Sequence, residues 1–124
     1  MEWIKADDIK TKITTIVDKL QMSHVDPSRI ICFRSVGSHS RSRARIWSFP
    51  RVWQQALDLP PYYIIEVLSQ YFDHLSKDDQ IKVLIHELMH IPKTFSGALV
   101  PHRNRGGRID SRSVDKLFQV YVNR

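Results

Sequence analysis

The chain has 124 residues with 42% apolar and 26% charged side chains, enough for one domain with a real core and too few for two. No apolar run reaches membrane-spanning length, and the start, Met1-Glu2-Trp3-Ile4-Lys5, has no signal-peptide core, so a cytoplasmic protein is expected. A single cysteine, Cys32, excludes an intramolecular disulfide, and its apolar surroundings make it a core residue. The net charge of +6 is unevenly placed: residues 28–57 carry six arginines and no acid, and residues 93–112 carry five cations against Asp110 alone. Between them, residues 58–92 hold six acids and two lysines. The basic flanks are candidate contacts for nucleic acid or an acidic partner, weighed against ordinary solvated faces.

Taken in order, residues 4–21 read as an amphipathic helix, with Ile9, Ile13, Ile16, Val17 and Leu20 on one stripe. Asp26-Pro27-Ser28 is a turn signal. Ile30 to Ser35 and Arg43 to Phe49 read as strands, and a hairpin is the economical way to pair them across the polar Val36–Ser42 segment. Arg51 to Leu57 is a helical turn or short helix, broken by Leu59-Pro60-Pro61. Tyr62 to Leu68 has the strongest strand composition of the chain.

Ser76 then stands as an N-cap with Asp79 three residues on, opening an apolar helix that runs to Pro92. Because Pro92 excludes helical geometry at Ile91, the helix is expected to end just after His90. Residues 93–112, with Gly97, Pro101, Gly106 and Gly107, look irregular, and 93–110 reads as a flexible cover. Helical spacing resumes from Val114 to Tyr121, with Ser111 or Ser113 as possible caps. The expected fold is α+β: an N-terminal helix, a small, mostly antiparallel sheet of about three strands, a central helix and a C-terminal helix, all in one domain over 1–124.

The chemistry lies in the central helix, at His86-Glu87-Leu88-Met89-His90. Histidines four apart on a helix are rotated only about 40° from one another, so both can grip one metal ion. Glu87 cannot ligate from that angle but reaches a metal-held water as a general base. The helix is apolar nearly all round, hence buried, and two buried imidazoles beside a carboxylate would be costly without a ligand to satisfy them.

The third ligand must come from elsewhere. The metzincin pattern requires Gly and His at the third and sixth positions after the second histidine, where this chain has Lys93 and Ser96. No glutamate follows Glu87, so His102 is the leading choice, with Asp110 and Asp115 as the alternatives. A three-imidazole site suits Zn2+, and with Glu87 it implies hydrolysis of a peptide bond by a metal-activated water. Tyr62, Tyr63, Tyr121 and Arg103 are candidates for stabilising the oxyanion. The strand at 62–68 is a candidate edge on which an extended peptide could add, with Glu66 facing solvent or a ligand histidine.

The run His86 to Gly97 followed by Val100-Pro101-His102, together with the blocks Arg43–Leu57 and Pro60–Leu75, resembles the small archaeal and phage metallopeptidases of zincin-like fold. It is more distantly similar to the SprT-like proteases. The resemblance implies a minimal zincin with His86, His90 and His102 as ligands, Glu87 as base and peptide or protein as substrate. Kinship with SprT-like proteases would imply work near DNA, in keeping with the basic segments 28–57 and 93–112. The competing reading is a non-catalytic, metal-stabilised module that binds nucleic acid or a regulator; Glu87 argues against it, because a structural metal site has no use for that carboxylate.

Overall fold

A computed structural model describes residues 1–124 as an α+β fold. It opens with a short strand, β1 (Glu2–Lys5), followed by helix α1 (Asp7–Lys19). The helix expected over 4–21 therefore begins later. Its buried positions, Ile9, Ile13, Ile16 and Val17, start only at residue 9, and residues 2–5 instead pair antiparallel with a neighbouring strand. Asp7 and Asp8 occupy the first turn and Lys19 the last, each placed favourably in the helix dipole.

The sheet contains β1, β2 (Ile30–Val36), β3 (Ala44–Trp47) and β4 (Tyr63–Leu68), in the order β1-β2-β4-β3. The expected hairpin between β2 and β3 does not form: β4 inserts between them, parallel to β2 and antiparallel to β3. The composition of β4 explains the insertion, since five of its six residues are buried and a strand apolar on both faces needs a neighbour on each edge. Two of the three pairings are antiparallel. The position of β4 also removes it as a peptide-accepting edge; the edge strands are β1 and β3, and β3 is the one beside helix α4 (Lys77–Met89).

Tyr63, Ile65 and Val67 of β4 point to the helical side of the sheet. There they join Ile9, Ile13 and Ile16 of α1, Leu84, Ile85 and Leu88 of α4, and Val114 and Phe118 of α5 (Ser111–Val122) in one apolar cluster. Each such side chain contributes about 1.5–3 kcal/mol on burial, so this cluster holds α4 in place against the sheet. On the opposite face, Trp3 packs edge-on against Phe33 and Trp47 at 6.2 and 6.1 Å. Glu66 also lies on this face, and it meets neither solvent nor a histidine: it is fully buried, accepting from Arg45 Nε at 2.7 Å and Trp47 Nε1 at 3.0 Å. Burial alone would raise its pKa, but the hydrogen bonds from Arg45 and Trp47 outweigh that and hold it below the ordinary carboxylate value.

Two short helices complete the connections: α2 (Arg51–Leu57), as its sequence predicts, and α3 (Ser69–Phe72). Cys32 is buried and free, and burial raises its thiol to about 11, which fits a core role. Residues 103–108 form a two-stranded ribbon of β5 (Arg103–Asn104) and β6 (Gly107–Arg108), where no regular structure was expected. The N-cap of α5 is Asp110 rather than Ser111 or Ser113; Ser113 is its capping-box partner.

Candidate metal centre

Helix α4 starts where Ser76 accepts from the Asp79 N–H at 3.1 Å, and His90 stands at its C-cap. Its 3.6-residue period puts His86 and His90 on one face, and the chain then returns to bring His102 to the same point. The Nε2 atoms of His86 and His102 lie 3.2 Å apart, those of His86 and His90 3.4 Å apart, and the ligating atoms of all three are within 4.8 Å of one another. Around a tetrahedral ion about 2.0–2.1 Å from each ring nitrogen, ligand atoms stand about 3.3–3.4 Å apart, so this donor set fits zinc.

The electrostatics point the same way. Burial and the neighbouring rings His90 and His102 lower the pKa of His86. Burial likewise lowers that of His90, with His102 adding to it, against the carbonyl of Val100. Three imidazoles crowded this closely repel a proton, and the neutral form is the one that ligates. His90 is further fixed by its Nδ1, which donates to the Val100 carbonyl and leaves Nε2 bare for a metal; the Val100 N–H donates back to the His90 carbonyl at 2.7 Å.

Glu87 is 8% exposed and faces the backbone N–H of Ile46 on β3; burial raises its pKa to about 8, and that N–H lowers it only in part. It lines two adjoining cavities. One, of about 420 Å³, lies between α4 and α5 and is bounded by Arg43, Asp79, Lys82 and Asp115. The other, of about 370 Å³, runs along β3 and is bounded by Ala44, Ile46, His86, His90, Leu99 and His102. Glu87 and the three histidines thus line one cavity.

The alternatives for the third ligand are occupied elsewhere. Asp110 caps α5, where hydrogen bonds from Ser113 lower its pKa, and Asp115 pairs with Lys82 at 3.4 Å. Of the tyrosines offered for an oxyanion, Tyr63 has its hydroxyl engaged, while Tyr62 and Tyr121 make ring contacts. Tyr63 accepts from the Gly97 N–H at 2.9 Å and donates to the Ala98 carbonyl at 2.7 Å, Tyr121 stacks on Phe118, and Tyr62 packs against Phe49. Arg103 directly follows His102 on β5. The flexible cover expected over 93–110 is, in its first half, a pinned strap: Gly97 O accepts from the Phe49 N–H at 2.8 Å, and Gln54 Nε2 donates to both Phe49 O and Ser96 O. The Val100 carbonyl and the Ile46 N–H escaped sequence reasoning because main-chain groups carry no residue signature.

A helix-borne histidine pair and a third histidine from a following strap make a locus that could hold a metal ion, with a buried carboxylate beside it. The chain belongs to the family described as putative phage metallopeptidase, which it matches over residues 1–112. That family implies a metal cofactor and a peptide or protein substrate; the archaeal and SprT-like sides of the resemblance have no counterpart in the match. No curated protein and no solved structure matches the chain. No helix is long and apolar enough to cross a membrane.

Proposed function

We propose that this chain is a zinc-dependent peptidase in which His86, His90 and His102 hold the ion and Glu87 is the general base. The observation that carries the reading is the triangle of imidazole nitrogens, in which His86 Nε2 lies 3.2 Å from His102 Nε2 and 3.4 Å from His90 Nε2, with the buried carboxylate of Glu87 beside His86 on α4. Bound Zn2+ supplies Lewis acidity, lowering the pKa of a water toward about 7 and polarising a carbonyl.

The chain's own groups do the rest. His90 is oriented by Val100, so its tautomer is set before any ligand arrives. Glu87 takes the proton from water as the water attacks the peptide carbonyl, then delivers that proton to the leaving amine. Glu87 is itself only 8% exposed, and its low-dielectric surroundings strengthen its interaction with a cation held by the histidines. Because Ala44 and Ile46 face the free edge of the sheet, β3 offers main-chain groups beside Glu87 to an extended substrate. The interaction-module alternative has no role for a carboxylate buried against the triad.

The test is cleavage of a peptide library by zinc-loaded wild type beside zinc-loaded Glu87→Gln. Cleavage by wild type, with the variant slower by about 10²–10⁴-fold, is expected. Equal rates for the two proteins, or no cleavage by either, would refute the reading.

A further inference from the structure

We infer that the substrate cleft is blind at one end, so that this peptidase cuts within about three residues of a free chain end rather than in the middle of a long chain. The inference rests on the peptidase reading and adds to it the class of substrate.

The two walls of the cleft are β3 and the strap after α4. Leu68 N–H donates to Arg43 O, so in the antiparallel register Arg43, Arg45 and Trp47 turn their main-chain groups to β4. Ala44 and Ile46 therefore turn theirs to the free edge, where Ile46 meets Glu87. The opposite wall runs from Ser96 through Leu99 to His102. Leu99 lines both the cavity at the histidines and the next one along, which is also lined by Ser48 to Arg51 and by Ser96, Gly97 and Ala98. The walls then meet, because the Phe49 N–H donates to Gly97 O.

That junction is fastened three times. Besides the Phe49–Gly97 bond, Gln54 holds Phe49 O and Ser96 O at 2.8 and 2.9 Å, and the Tyr63 hydroxyl holds Gly97 N and Ala98 O. The approach is so close that a Cβ on Gly97 would stand 2.3 Å from Phe49 O, and Gly97 has φ +93°. From Ile46, where Glu87 acts, to Phe49, where the cleft closes, is three residues of extended chain, about 10 Å. A substrate strand laid on β3 runs into that bonded junction in this direction. In the other direction the cleft opens past Ser42 and Arg43 into the cavity between α4 and α5.

The experiment has two arms. In the first, zinc-loaded wild type is given a mixture of long synthetic peptides, and the cut sites are mapped by mass spectrometry. Cuts clustered within about three residues of one terminus, the same terminus for every peptide, are expected. Cuts that leave four or more residues on both sides at comparable rates would overturn the inference while leaving the peptidase reading intact. Gln54→Ala, which frees two of the fastening bonds without touching the histidines or Glu87, should raise internal cutting about tenfold; no change in cut position would count against the blind end. The second arm needs no turnover: the affinity of zinc-loaded Glu87→Gln is measured for tripeptides and for the same sequences embedded in longer chains. Embedding should weaken binding about tenfold or more. Equal affinity, or no binding of either form, would overturn the inference. The absence of any cleavage by wild type would refute the peptidase reading separately.

Discussion

The Nδ1 of His90 and the carbonyl of Val100 are hydrogen-bonded while the Val100 N–H donates to the carbonyl of His90, so one pair of residues both ends helix α4 and aims its second histidine. Two residues later the same strand of backbone delivers His102. The helix terminus and the third histidine are thus a single mechanical unit.

Val100→Pro removes the N–H of that pair and disturbs the carbonyl. Metal affinity should fall about 10–100-fold, the range found when an outer-shell partner of a ligating histidine is lost. Competition against a colorimetric zinc chelator measures it; unchanged affinity would show that Val100 orients nothing.

Glu87→Gln replaces the proposed base with an isostere that accepts no proton. Zinc content should match wild type, because the histidines are untouched, while turnover falls by about 10²–10⁴. Loss of metal together with activity would make Glu87 a ligand or a structural residue instead.

Burial of Glu66 opposes its ionised form, and Arg45 with Trp47 reverses that, leaving its pKa below the ordinary 4.5. A depressed folded-state pKa stabilises the protein above the unfolded value, and the contribution is lost as pH falls through the folded one. The melting temperature should therefore stay level on this account down to about pH 5 and decline below it. Glu66→Gln should lack that acid decline, and Arg45→Ala, which strips the buried carboxylate of its cation, should cost about 3 kcal/mol at pH 7. Parallel acid limbs in wild type and Glu66→Gln would contradict the assignment.

Gly97→Ala places a methyl against Phe49 O at a residue with φ +93°. Overpacking and backbone strain together should cost about 2–3 kcal/mol in denaturant unfolding. A loss of a few tenths would mean that the strap yields, and that the walls of the cleft are less firmly joined than their hydrogen bonds indicate.

How much of this was legible in the sequence follows from the kind of signal each element carries. α4 was readable in full, because Ser76, Asp79, the apolar repeat and Pro92 mark its start, body and end. β1 was missed since all four of its residues are exposed on an edge strand and show no burial pattern. Strand order was misread because adjacency in sequence favours a hairpin, whereas the burial of β4 on both faces, visible in Tyr63–Leu68, argued for a central strand. His86, Glu87, His90 and His102 could be named because their chemistry sits in side chains. The rigidity of the strap could not, since glycines suggest freedom and here Gly97 serves close approach instead.

The most direct test of the central claim is the zinc content of purified wild type and His102→Ala, by elemental mass spectrometry. The three-histidine site predicts about one zinc per wild-type chain and a sharp loss in the variant. Undiminished zinc in His102→Ala, or none in wild type after zinc loading, would contradict it.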